Sequence, residues 1–125
     1  MNIPKNLKYT TDHEWVLNQN GVVTIGVTDF AQSELGDIIF IEFPEVGESF
    51  EKGDTFGTVE AVKTVADLFT PVSGEVIEIN SDLENNPESV NSDPYGKGWI
   101  IKMSIADETD LDALMDSESY GDHIN

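Results

Sequence analysis

The chain has 125 residues, 25 of them acidic and only six basic, with no arginine and a formal net charge of −19. That balance excludes nucleic acid and anionic membrane surfaces as partners, because phosphate would be repelled, and favours partners with basic docking faces. The absence of cysteine excludes disulfides, thiolate metal sites and a cysteine nucleophile, and suits a reducing compartment. The length fits a single domain over residues 1–125 that buries roughly two thirds of its unfolded surface. No run approaches the ~18 apolar residues of a membrane span, and the N-terminus has neither a signal-peptide core nor an Arg-rich transit pattern. The expected location is a bacterial cytoplasm; a processed protein of the mitochondrial matrix would look similar. A monomer is expected.

In chain order, Val23, Ile25 and Val27 alternate with Val22, Thr24 and Gly26, the period of a strand. Thr28 is a good N-cap and Gly36 a good C′ residue, which predicts a short helix over Asp29–Leu35. Ile38–Phe43 is apolar enough to predict a strand covered on both faces, ended by Pro44. Segments 54–59 and 65–69 read as two strands, with Lys63 at or beside the hairpin tip between them. Gly74–Asn80 predicts another strand, with Ile77 and Ile79 on one face. Leu111, Leu114 and Met115 predict an amphipathic helix over Asp110–Met115 covering a sheet end, and the polar stretch from Ser117 to Asn125 predicts a frayed tail.

Pro44-Glu45-Val46-Gly47-Glu48-Ser49-Phe50 and Pro71-Val72-Ser73-Gly74-Glu75-Val76 form a weak repeat around Lys63, each running proline, glycine, glutamate, strand. A paired arrangement of short sheets, with Gly47 and Gly74 at left-handed corners, fits this pattern; ordinary turn punctuation fits it too. Asp82–Pro87 touches a calcium-loop pattern but has proline where the sharp turn needs glycine. Tyr95-Gly96-Lys97-Gly98-Trp99 reads as a glycine turn packed by aromatics. No nucleophile elbow, phosphate loop or metal-spaced histidine pair occurs.

Five blocks in register carry a family resemblance: Tyr9–Val16, Thr24–Gln32, Leu35–Phe40, Gly57–Lys63 with Pro71–Val76, and Val90–Trp99. Together they resemble the H protein of the glycine cleavage system over about Leu7 to Leu114. Ala61 and Thr64 depart mildly from the family's serine and alanine. The resemblance implies a mainly β fold, a lipoyl/biotinyl-carrier barrel-sandwich hybrid of two small sheets with short flanking helices. It implies a non-catalytic carrier with lipoate in amide linkage on Lys63. The partners it implies are a pyridoxal-phosphate glycine decarboxylase, a folate-dependent aminomethyltransferase, dihydrolipoamide dehydrogenase, and the lipoyl ligase or octanoyltransferase that attaches the arm. A relay that donates lipoate to 2-oxo-acid dehydrogenases is the alternative role. A biotin carrier is disfavoured by Val62 and Thr64 where methionines would flank the lysine.

An exposed lysine amine is mostly protonated at neutral pH, so the attaching enzyme must activate it. Glu60 matches an acidic position of the attachment motif and is either a recognition handle, together with Gly47 and Gly74, or a solvated strand-end carboxylate. Glu14 and Asp67, with Asp12 a weaker candidate, match the family's acidic positions at a cleft that would shelter the aminomethyl cargo; otherwise they are rim charges. His13 could orient Glu14 or partner contacts but reads rather as a satisfied structural histidine, and His123 is assigned no role.

Overall fold

The computed structural model describes all 125 residues. Nine strands form two sheets. The strands are β1 (Lys8–Tyr9), β2 (Glu14–Gln19), β3 (Val22–Val27), β4 (Ile38–Glu42), β5 (Ser49–Phe50), β6 (Thr55–Ala61), β7 (Val65–Phe69), β8 (Gly74–Ile79) and β9 (Ile101–Ile105). Three helices accompany them: α1 (Asp29–Leu35), α2 (Ser89–Ser92) and α3 (Ser117–Ile124). The sheets are unequal, a six-stranded one in the order β1-β2-β3-β9-β8-β5 and a three-stranded one in the order β4-β6-β7, every pairing antiparallel. The expected mainly β carrier-type fold with short helices is present, without a closed barrel.

Alternation places Val23, Ile25 and Val27 of β3 in one core with Ile41, Val59, Leu68, Val76, Ile101 and Met103 from both sheets. A second cluster of Leu7, Tyr9, Trp15 and Tyr120 sits beside it, where Tyr95 and Trp99 of the glycine turn pack as expected. Helix α1 has the predicted limits. Thr28 Oγ1 accepts from Ala31 N at 3.1 Å, and Gly36, at φ 79°, closes the end by donating to Gln32 O.

Five expectations need correction. Strand β4 is not covered on both faces: a bulge between Ile38 and Phe40 leaves Ile39 and Phe40 about half exposed, at 49% and 53%. The extra residue breaks the alternation, so only Ile38 and Ile41 turn inward. A second bulge, between Val76 and Glu78, separates Ile77 from Ile79: Ile77 is exposed, Val76 is buried, and Ile79 packs on the core.

The helix expected over Asp110–Met115 is instead a 3-10 turn over Glu108–Ala113, capped by Asp107, whose carboxylate accepts from Thr109 N. Leu111 and Leu114 do pack on the core, but the chain extends at Leu114 so that Met115 can exchange backbone hydrogen bonds with Tyr9 at 2.8 and 2.9 Å. The final residues do not fray. Asp116 caps α3 through Ser119 N, and Tyr120 is fully buried, stacked on Tyr9 with ring centres 4.7 Å apart.

Of the repeat's two glycines, only Gly47 is a left-handed corner, at φ 96°. Gly74 is needed for a different reason: a Cβ there would collide with the Ser104 carbonyl across the β8–β9 ladder. The arms do meet, since Gly47 N donates to Val76 O at 2.7 Å and Phe50 pairs with Gly74.

A lysine hairpin and an acidic cleft

Lys63 lies in the β6–β7 hairpin, where Glu60 pairs with Val65 and Ala61 N donates to Thr64 O at 2.8 Å, leaving Val62 and Lys63 as the turn. Two-residue hairpins usually need positive φ, yet neither residue has it. The turn is held from outside instead, by a 3.0 Å hydrogen bond from Val62 N to Asp37 O. Lys63 is exposed and in no ion pair, since the sole salt bridge joins Lys102 to Glu78. Its stem lies over Gly36, at the end of α1.

The register of the three-stranded sheet sets Phe40, Glu60 and Val65 in one cross-strand row, and Glu42, Thr58 and Asp67 in the next row on the same face. Exposed Phe40, Val62 and Val65 therefore surround half-buried Glu60 beside the lysine. An enzyme that reaches the Lys63 amine must cover these residues. Gly47 and Gly74 lie in the other sheet's β5–β8 corner, not in this row.

A cleft of about 410 Å³ is lined by Tyr9, Thr10, Asp12, Glu14, Phe69 and Thr70, among others, with Lys52 at its edge. Glu14 is 2% exposed. Thr10 Oγ1 donates to its Oε1 at 2.6 Å and Phe69 N to its Oε2 at 3.2 Å. Burial outweighs these donors and, with the nearby Asp12 charge, pushes the Glu14 carboxyl up to about 7. A carboxyl poised at that value can take or give a proton at neutral pH, and a cation brought beside it would draw it into the charged form. Composition and spacing do not distinguish Glu14 from the other acids; only the family resemblance does. One of its two donors, Phe69 N, lies 55 residues away.

Asp12 shares the cleft with Glu14, whereas exposed Asp67 does not line it. Asp67 occupies the same face of β7 as Val65 and Phe69, between the hairpin and the cleft. Helix α1 spans the same interval, from Thr28 beside His13 to Gly36 under Lys63, roughly 12 Å at about 1.5 Å per residue.

His13 is structural, as expected: half-buried, at φ 69°, with Nδ1 2.9 Å from the Tyr120 hydroxyl. Burial, and then the neighbouring His123, lower its proton affinity. His123 itself contacts Thr11 O at 3.3 Å. No group of acids and histidines is arranged to hold a metal, and no helix is long and apolar enough to cross a membrane.

Residues 7–125 match the family model described as glycine cleavage H-protein. The glycine cleavage system H protein of Bacteroides fragilis is 54% identical over 125 residues, covering all of this chain and 99% of its own length. That of Bacteroides thetaiotaomicron is 53% identical with the same coverage. A crystal structure of the glycine cleavage system H protein from Mycobacterium marinum superposes with a TM-score of 0.91 at 35% identity, over 98% of both chains.

Proposed function

The chain belongs to the glycine cleavage H-protein family, and from that premise we propose that Lys63 carries lipoate in amide linkage and that the protein serves as a carrier without catalytic residues of its own. When bound, the dithiolane supplies a sulfur that accepts the aminomethyl group of glycine and a dithiol that is later reoxidised. The partners in this reading are the glycine decarboxylase, the aminomethyltransferase, dihydrolipoamide dehydrogenase and the ligase or octanoyltransferase that modifies Lys63, in the cytoplasm of a bacterium.

The observation that carries the proposal is the state of Lys63: an exposed amine on a two-residue turn, free of any carboxylate, on a hairpin tied down by Asp37. The tether keeps the turn rigid, so an acylating enzyme meets a fixed target. The residues around it give that enzyme a footprint. Phe40, Val62 and Val65 offer apolar area, and Glu60 sits among them as a charge that a basic partner can read. Gly47 and Gly74 contribute to recognition by shaping the fold that presents the hairpin.

In the cleft, Glu14 offers a carboxylate to a cationic amine. Its two fixed donors hold the side chain in place, and burial beneath Thr10 and Phe69 excludes water from that contact. Asp12 adds negative potential from the same wall, and Asp67 does so along the path from the hairpin. Restricting water at the amine is how this chain would slow loss of ammonia from the cargo between partners.

Expression of wild-type and Lys63→Arg protein in lipoate-replete cells, followed by intact mass, tests the attachment. The wild type gains a lipoyl group. The variant folds, its stability changed by under about 0.5 kcal/mol, and stays unmodified; a lipoylated variant would sink the assignment.

A further inference from the structure

Building on the carrier reading above, we propose that Tyr120 in the C-terminal helix is a positioning residue for the cleft, its hydroxyl fixing the turn that carries Glu14 against the start of α1. The tail thereby becomes part of the site.

The Tyr120 hydroxyl reaches two groups at once, His13 Nδ1 at 2.9 Å and Thr28 Oγ1 at 2.7 Å. Thr28 Oγ1 already accepts from Ala31 N, so its own proton is free for the Tyr120 oxygen. Tyr120 then donates to a neutral His13 whose other nitrogen keeps the hydrogen. Burial of His13, which disfavours its charged form, agrees with that arrangement. The chain Thr28, Tyr120, His13 is fully paired, and no buried side-chain nitrogen or oxygen in the molecule lacks a partner.

His13 is where this network acts on the cleft. A non-glycine residue at φ 69° sits in a backbone conformation that its surroundings must hold. The surroundings fix it three ways: His13 N donates to Thr10 O at 3.2 Å, His13 O accepts from Thr28 N at 3.0 Å, and the ring accepts from Tyr120. Glu14 follows directly, and its backbone N donates to Thr10 Oγ1 at 3.1 Å, the same hydroxyl that donates to its carboxylate. The reversal at His13 thus sets the direction of Glu14. Tyr120 therefore ties the turn that carries the carboxyl to the start of α1. Its ring alone, stacked on Tyr9, would suffice to anchor α3; the hydroxyl has the additional role.

Tyr120→Phe keeps the stacked ring and deletes only that hydroxyl. In unmodified protein, carboxyl carbon NMR is expected to show Glu14 titrating at least half a pH unit lower than in wild type, as the loosened turn admits water. In the lipoylated, aminomethyl-loaded protein, the cargo is expected to be lost at least three times faster in the absence of partner enzymes. Lipoylation at Lys63 should be unchanged. A wild-type Glu14 midpoint in Tyr120→Phe overturns the inference, whatever the cargo lifetime.

Should Tyr120→Phe fail to fold, His13→Asn and His13→Ala decide instead. Asparagine tolerates positive φ and offers an acceptor, so it should keep the midpoint that alanine loses; identical midpoints overturn the proposal. Glu14→Gln with an unchanged cargo lifetime would overturn the cleft reading itself, and the titration would still decide the role of Tyr120.

Discussion

Gly36 leaves room for the Lys63 stem: a Cβ at position 36 would lie 3.4 Å from Lys63 Cε and 3.8 Å from Nζ, in van der Waals contact with it. The residue that ends α1 is thus also the one that the lysine stem passes over. At φ 79° and ψ −156°, Gly36 adopts a backbone conformation essentially restricted to glycine.

Gly36→Ala is expected to destabilise the protein by on the order of 1 kcal/mol through strain at that φ. It would also place a methyl group in van der Waals contact with the Lys63 stem, and a lipoylation rate lowered beyond the change in stability would show that this contact steers the lysine. Denaturant melts and a timed lipoylation assay separate the two effects. An unchanged rate in a destabilised protein would show that the contact is passive.

The raised Glu14 carboxyl makes stability depend on pH in a defined direction. The folded chain holds this proton more tightly than the unfolded chain between the ordinary value of 4.5 and about 7. Folding is therefore favoured at the acid end of that window, and stability falls as pH rises through it. Above the window the full cost of the buried charge applies, on the order of 3 kcal/mol. Glu14→Gln should flatten this dependence and melt higher than wild type at pH 8. Equal slopes from pH 4.5 to 7 would rule out a strongly raised Glu14.

A net charge of −19 predicts electrostatic steering toward basic partner faces. The association rate with the aminomethyltransferase should fall as sodium chloride rises past physiological strength, where the Debye length is about 8 Å. Stopped-flow measurement across a salt series checks this. A flat response would assign the charge to solubility alone.

What the sequence made legible was whatever local chemistry decides. Thr28 and Gly36 marked both ends of α1 because capping is settled within a few residues. Lys63 stood out because few cations compete with it and strand patterns flank it. Contacts between distant segments were not legible. The tail reads as polar, yet Tyr120 finds Tyr9 across 111 positions and becomes core. The Asp116 cap was the one local sign that a helix begins there. Ile39 and Phe40 read as buried because composition carries no trace of a bulge, and one extra residue turned them outward. Glu14 was marked only by the family resemblance; it is buried, and its hydrogen bond from Phe69 N comes from a segment 55 residues away.

The unequal sheets bear on how the protein behaves when crowded. A free sheet edge is a template for a foreign strand. The six-stranded sheet ends in β1 and β5, each only two residues long. The three-stranded sheet ends on one side in β4, which is bulged and stopped by Pro44, and on the other in β7, which carries Asp67. A passing strand finds too few aligned donors and acceptors on either sheet to zip along it. The half-exposed Ile39 and Phe40 thus lie on a strand whose bulge, and the Pro44 that follows it, hinder pairing with another chain.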